Sequence, residues 1–471
     1  MKRSNMRGYL LLFCLFSCFL LKAQEQLPEV LTFEEYMAYV KQYHPVAGQA
    51  ELQISMGEAE MLRARGGFDP KIEVDYDRKK FKGTEYYDIL NSTFKIPTWY
   101  GVEVKAGFEQ NEGYYLNPQK TVPEDGLFSA GVSVDVGQGM WINDRMATLR
   151  SARVFRQQTI AERELFLNEV LYDAATAYFD WLNVYNEVII YEEFLENAAE
   201  RFLGVKQNAL LGEVAAIDTV EAKIPVQSRT LELEQARVRL MKERLNLSNY
   251  LWLANNVPVE LQPNIIPDIS LQQELDETLE LPQFMPDEIN IEDHPKLRSL
   301  EFKLQALEIE RRLKANKLLP AINLEYNFIT PEPEFQTLNT ANYKAGISLS
   351  VPLFLRKERG DLRLAELKLQ DASFDLQLNE RQIENKIRAV FQELESYRIQ
   401  NVVVEEMVEN YVIMLAAEER RMSFGESSIF LINSREIKLI EAQLKQNEVL
   451  TKFLYAKARL FQSLGIVPEL D

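Results

Sequence analysis

The dipeptide His44-Pro45 recurs as His294-Pro295. The same shift carries Asp69-Pro70 onto Leu319-Pro320, and KIEVDYD (71–77) onto AINLEYN (321–327). Matches at one constant, ungapped offset mark a tandem duplication. Farther along, FSAGVSVDV (128–136) resembles YKAGISLSV (343–351), and LLGEVAAIDTVEA (210–222) resembles SFGESSIFLINSR (423–435). The order of features is shared, so the fold must be buildable from two similar units.

The first repeat spans 24–253 and the second 291–471. Between them, 254–290 carries Pro258, Pro263, Pro267, Pro282 and Pro286 among acidic residues, which reads as an irregular linker. Residues 1–23 read as a secretory signal peptide: Lys2, Arg3 and Arg7 precede an apolar run from Tyr9 to Leu21. That run is short for a membrane anchor. A lipoprotein signal at Cys18 is the other alternative, disfavoured by bulky Phe16. The two cysteines, Cys14 and Cys18, both lie in this segment, so the mature chain has no thiol for a disulfide or metal site.

Each repeat holds a moderate helix (46–65 and 295–318), then strands (about 70–136 and 320–352), then a long helical hairpin (143–253 and 358–464). In the long helices, Leu167, Leu171, Ala174, Tyr178, Trp181, Tyr185 and Val188 alternate in steps of four and three, as do Ile383, Ile387, Val390, Leu394 and Tyr397. A mean spacing of 3.5 is the period of an antiparallel α-helical coiled coil. At about 1.5 Å per residue each long helix would extend roughly 100 Å.

The strands alternate strictly. Ile72, Val74 and Tyr76 oppose Glu73, Asp75 and Asp77; Val132, Val134 and Val136 oppose Ser133 and Asp135; Ile322, Leu324 and Tyr326 oppose Asn323, Glu325 and Asn327. One face is apolar and the other polar. A half-buried sheet in a soluble domain gives this pattern, but the helices already use their apolar stripes on each other. A lipid-facing wall with a watery interior fits better. One chain has too few strands for an open pore, so several chains must share it.

Enzyme chemistry finds no support. His44 and His294 sit before prolines at equivalent positions, which reads as helix-junction structure, and no nucleotide loop, nucleophile motif or metal cluster is present. The expected cofactor and metal sets are therefore empty. The formal charge of −19, or −23 without Lys2, Arg3, Arg7 and Lys22, excludes nucleic acid as a partner.

The duplicated strand and coiled-coil layout, the His-Pro junctions and the glycine breaks at Gly212 and Gly425 resemble the TolC-like outer-membrane efflux proteins. The resemblance implies a mainly α fold with β strands: coiled coils forming a periplasmic tunnel, continuous with a trimeric transmembrane barrel to which each chain gives four strands. It implies an exit duct in the outer membrane, extending into the periplasm. The duct would be a homotrimer in outer-membrane lipid, coupled to an inner-membrane transporter through a periplasmic adaptor, for efflux or type I secretion.

By the same resemblance, Leu211, Gly212 and Glu213, with Phe424, Gly425 and Glu426, correspond to hairpin tips where adaptors dock. Asp218 matches an aspartate at the tunnel constriction. Leu431 and Ser434 stand where the family often has two acids, so an acidic ring is not expected there. Pro225 should kink the returning helix. Copy one carries additional strand-like segments between 86 and 109, with PTWYG between them; these fit an extracellular hairpin or a barrel-rim hairpin. The rival from another class is a soluble periplasmic coiled-coil adaptor or scaffold, which leaves the duplicated strands unexplained.

Overall fold

The computed structural model describes residues 29–281, 290–331 and 340–470. Residues 1–23, read above as a signal peptide and holding Cys14 and Cys18, lie outside them, as do Pro282 and Pro286. In chain order the elements are β1 (Glu29–Leu31), α1 (Phe33–Tyr43), α2 (Pro45–Arg65), β2 (Lys71–Phe81), β3 (Thr84–Pro97), β4 (Val102–Glu112), β5 (Leu127–Gly137), α3 (Asp144–Leu210) and α4 (Ala216–Ser248). Then follow β6 (Trp252–Leu253), β7 (Val257–Pro258), β8 (Ile265–Pro267), α5 (Leu275–Thr278), α6 (Pro295–Asn316), β9 (Ala321–Thr330), β10 (Tyr343–Ser350), α7 (Arg356–Ser423) and α8 (Ile429–Leu464). The element order recurs: α2, strands, α3 and α4 are followed by α6, strands, α7 and α8.

Two compact units divide these elements. Among the described residues, the first gathers 29–48, 167–281 and 386–470. Its core packs Phe33, Tyr36, Met37 and Val40 of α1 against Leu171, Ala174, Tyr178 and Trp181 of α3, with Leu454 and Phe461 of α8. The stripe read from the sequence is therefore the buried one. Helix α1 starts on a capping box: Glu35 N–H donates to Thr32 Oγ1 (3.2 Å) and Thr32 N–H to Glu35 Oε2 (3.3 Å).

The connection between repeats is built into this core rather than irregular throughout. Strand β8 pairs in parallel with β1, β6 pairs with β7, and Leu261, Leu271, Leu275 and Leu279 are buried against α1 and α3. Tyr178 fastens both segments, donating to Leu31 O (2.7 Å) and accepting from Asp268 N–H (3.0 Å). The prolines exclude a long helix there, but they do not exclude burial. Helix α4 packs antiparallel on α3 through Leu233 and Ala236 against Val188, and runs through Pro225 as one helix.

The second unit comprises, among the described residues, 49–166, 290–331 and 340–385. It holds a six-stranded antiparallel sheet in the order β10-β9-β5-β4-β3-β2. The register keeps Val104 opposite Val132 and Val132 opposite Tyr326, so the alternating apolar residues of β4, β5 and β9 share one face. The segments between 86 and 109 are not a separate rim hairpin. They are β3 and β4, interior strands inserted between β2 and β5. Lys82 (φ 51°) and Gly83 (φ 79°) form the two-residue turn that joins β2 to β3.

Helices anchor the lower end of the sheet. Gln138 Nε2 donates to Lys317 O (2.8 Å) and Leu319 O (2.9 Å), Asn316 Nδ2 donates to Ile142 O (2.8 Å), and Arg145 pairs with Glu103 (2.8 Å).

Candidate functional site

The sheet presents two chemically opposite surfaces. On the apolar face Ile347 is 78% exposed, Ile72 72%, Leu349 65% and Val74 60%, so nothing among the described residues covers it. Contiguous apolar exposure of this kind marks a surface made for lipid or another chain. The other face is a polar lattice. Asn323 Nδ2 donates to Ser133 Oγ and Asp135 Oδ1 (both 2.8 Å), Lys105 pairs with Glu325 (3.6 Å), and Lys344 with Glu109 (3.2 Å). At its far end the β4–β5 connection folds back over this polar face. Asn111 donates to Lys120 O (3.0 Å), and Ile89 opposite it is buried.

Both hairpin tips have one geometry. Glu213 N–H donates to Asn208 O (2.9 Å) and Gly212 N–H to Ala209 O (3.1 Å). In the second repeat Glu426 N–H donates to Arg421 O and Gly425 N–H to Met422 O, each at 2.9 Å. These are paired Schellman motifs, and φ of +79° at Gly212 and +77° at Gly425 explains the glycines. Leu211 (67% exposed) and Phe424 (73%) stand in solvent beside them, as do Leu210 and Phe430.

The residues matched to a constriction lie in the turns just after the tips. Asp218 sits in the first turn of α4, where its carboxylate accepts from Ala215 N–H (3.2 Å) and caps the helix. Leu431 and Ser434 lie half-buried near the start of α8, where Leu431 N–H donates to the Ser428 cap (3.4 Å). Behind the second tip, Glu418 is buried and accepts from Ser427 Oγ (2.6 Å).

A charged cluster near the tips went unread in the sequence. Glu436 of α8, 1% exposed, receives Arg201 of α3 through both carboxylate oxygens (2.7 and 3.1 Å) and Arg229 of α4 at 2.8 Å. Burial holds the Arg229 guanidinium below its usual range, while Glu436 pulls it back up. Its signal was available: Glu436 interrupts the apolar stripe Ile429, Ile432, Leu439.

His44 and His294 are junction residues. Nδ1 of His44 accepts from Val46 N–H (3.3 Å) and Nδ1 of His294 from Lys296 N–H (3.1 Å), so each caps the helix its proline begins. Among the described residues, no group of three His, Cys, Asp or Glu is placed to hold a metal, and no helix is long and apolar enough to cross a membrane.

This pairing of an open, two-faced sheet with long helical hairpins is the fold of outer-membrane channels. The chain resembles the Campylobacter jejuni CmeC outer membrane channel (14% identity, 92% of this chain, 85% of that one, TM-score 0.63). It likewise resembles the open state of the Neisseria gonorrhoeae MtrE outer membrane channel (13%, 92% and 88%, 0.65) and the Vibrio cholerae outer membrane protein VceC (13%, 91% and 95%, 0.63). Residues 289–466, most of the second repeat, match the family model described as outer membrane efflux protein. No curated protein gives a significant match. The resemblance read from the sequence thus stands on a family match over the second half of the chain and on the fold.

Proposed function

We propose that this chain is one subunit of an outer-membrane exit duct, a passive conduit. Sheets from separate copies close into a lipid-embedded barrel, and the helical hairpins line a tunnel on the periplasmic side. The observation that carries this reading is the uncovered apolar face, with Ile72 and Ile347 more than 70% exposed, set back to back with a polar lattice. That arrangement suits lipid outside and water inside. A soluble adaptor would leave the same apolar surface in water, at a cost of roughly 25 cal/mol per Å² of apolar area.

In this reading the assembly is a homotrimer, and the tips around Gly212 and Gly425 meet a periplasmic adaptor that couples the duct to an inner-membrane transporter. The exposed Leu211 and Phe424 supply apolar contact there. Asp218, Leu431 and Ser434 stand in the adjoining turns, where the tunnel would narrow.

The test is fractionation. The protein is expected in outer membranes, retained through high salt and carbonate, and released only by detergent. Release by salt, or recovery in the soluble periplasmic fraction, would contradict the proposal.

A further inference from the structure

The sheet has six strands among the described residues, and its ends, β2 and β10, carry no partner on their outer sides. Every described position of both is exposed, unlike the interior strands. Unpaired edges in lipid are not tolerated, so both must be closed. Strand β2 runs antiparallel to β3 and alternation continues across the sheet, so β10 has the polarity to pair antiparallel with β2 of a neighbouring copy.

The internal register fixes how they meet. One perpendicular row runs through Ile72, Phe94, Ala106, Ala130, Phe328 and Tyr343. It begins one residue from the lower end of β2 at Lys71 and finishes seven residues from the lower end of β10 at Ser350. Setting the lower ends level therefore gives a stagger of six residues over six strands. At ~3.3 Å per residue and ~4.8 Å between strands the tilt is about 35°, at the low edge of the roughly 35–45° known for membrane barrels.

Slips by one residue are excluded, because they would turn apolar side chains into the lumen. A slip of two that reduces the stagger lowers the tilt to about 25°. The opposite slip sets Lys344 against Lys79 and Tyr343 against Lys80. In the level register Lys344 faces Asp77, Ile347 faces Val74 and Leu349 faces Ile72. Charge and apolar contacts both match.

We infer that β10 of one copy pairs with β2 of the next in this register, Lys344 opposite Asp77, so that three copies close an eighteen-stranded wall. The number of copies rests on the trimeric reading above; the pairing rests on the sheet. Strands β3 and β4 are then wall, not decoration. At this spacing and tilt the barrel is about 34 Å across its backbone, wide enough for an aqueous lumen.

Cysteine pairs test the pairing in the intact protein in its membrane. Glu73→Cys with Ser348→Cys places thiols directly opposite across the junction, within the 4.4–6.8 Å Cα range that disulfides span. Within one sheet the same positions lie five strand spacings and six residues apart, roughly 30 Å, so any bond is between copies. Asp75→Cys with Ser348→Cys, and Lys71→Cys with Ser348→Cys, report the two slipped registers. On mild oxidation the Glu73/Ser348 pair is expected to give a covalent ring of three chains in at least fivefold higher yield than either slipped pair.

A slipped pair that cross-links as well or better overturns the register. A detergent-extracted oligomer in which none of the pairs links overturns the junction while leaving the exit duct standing. A covalent ring of a different copy number overturns the eighteen-stranded wall. A soluble monomer overturns the inference and the exit-duct reading together.

Discussion

Arg229 of α4 meets Glu436 of α8 at 2.8 Å, with the two side chains 4% and 1% exposed. With Arg201, the carboxylate ties α3, α4 and α8 together in one layer. Removing one member of a buried ion cluster strands the others in a poorly solvated site, at about 3–5 kcal/mol. Glu436→Ala is expected to lower stability by about that much, measured by denaturant unfolding in detergent. The triple change Glu436→Leu, Arg229→Met and Arg201→Met should recover most of the loss. If Glu436→Ala cost less than about 1 kcal/mol, the cluster would not be bearing on α8 packing.

The His44 cap needs an unprotonated Nδ1, and burial lowers the pKa of this imidazole from its usual value of 6.5. The folded chain thus favours the neutral ring. Its contribution is complete above the ordinary histidine range and is lost as pH falls through the depressed folded value. Wild-type protein is expected to lose stability on acidification from pH 7, through the usual histidine range of about 6.5, to below the lowered value. The cap itself is worth about 1 kcal/mol. His44→Asn keeps a capping oxygen and should remove this part of the pH dependence. Parallel melting curves of both proteins against pH decide the matter; identical slopes would assign the effect elsewhere.

Phe424 and Leu211 stand in solvent beside turns that hold their own shape through backbone hydrogen bonds. Phe424→Ser with Leu211→Ser should therefore leave the melting temperature nearly unchanged. If the tips meet an adaptor, the same variant will reduce cargo export and the recovery of that partner after in vivo cross-linking. Unaltered export would place docking at another surface.

Ile347 and Ser348 are neighbours on opposite faces of β10, and both are exposed in the single chain. In a barrel they face lipid and lumen respectively. Ile347→Lys is expected to cost about 2–4 kcal/mol of barrel stability near the membrane midplane, and Ser348→Lys well under 1 kcal/mol. Heat-modifiability of the assembled oligomer on gels reports the difference. Equal effects would mean that the two faces see the same solvent.

Periodicity made much of this fold legible. Leu171, Ala174, Tyr178 and Trp181 form a stripe spaced for a buried helix face, and Ile72, Val74 and Tyr76 alternate as a two-faced strand does. The glycines were readable as turns, and their left-handed φ confirms why glycine stands there. The histidines before Pro45 and Pro295 were readable as junctions, and both prove to be caps.

Other features were hidden because a single sequence carries no register. Strand β3 reads Tyr86, Asp88, Leu90, Ser92 and Phe94 along its apolar face, too mixed to be assigned to the wall. Only its pairing with β2 and β4 places it there. Leu261, Leu271, Leu275 and Leu279 lie scattered among prolines, and their burial follows from the tertiary fold alone. Glu436 was hidden differently, as an acid among many on charged helices. Its position within an apolar stripe, rather than its charge, distinguishes it.

In the exit-duct reading, sheets of separate copies join edge to edge with their apolar faces in lipid. Mass measurement of detergent-purified protein, by native mass spectrometry with the micelle stripped, tests it most directly. One species of three chains, persisting on dilution, is expected. A single chain, stable without detergent, would contradict it and return Ile72 and Ile347 to the surface of a soluble protein.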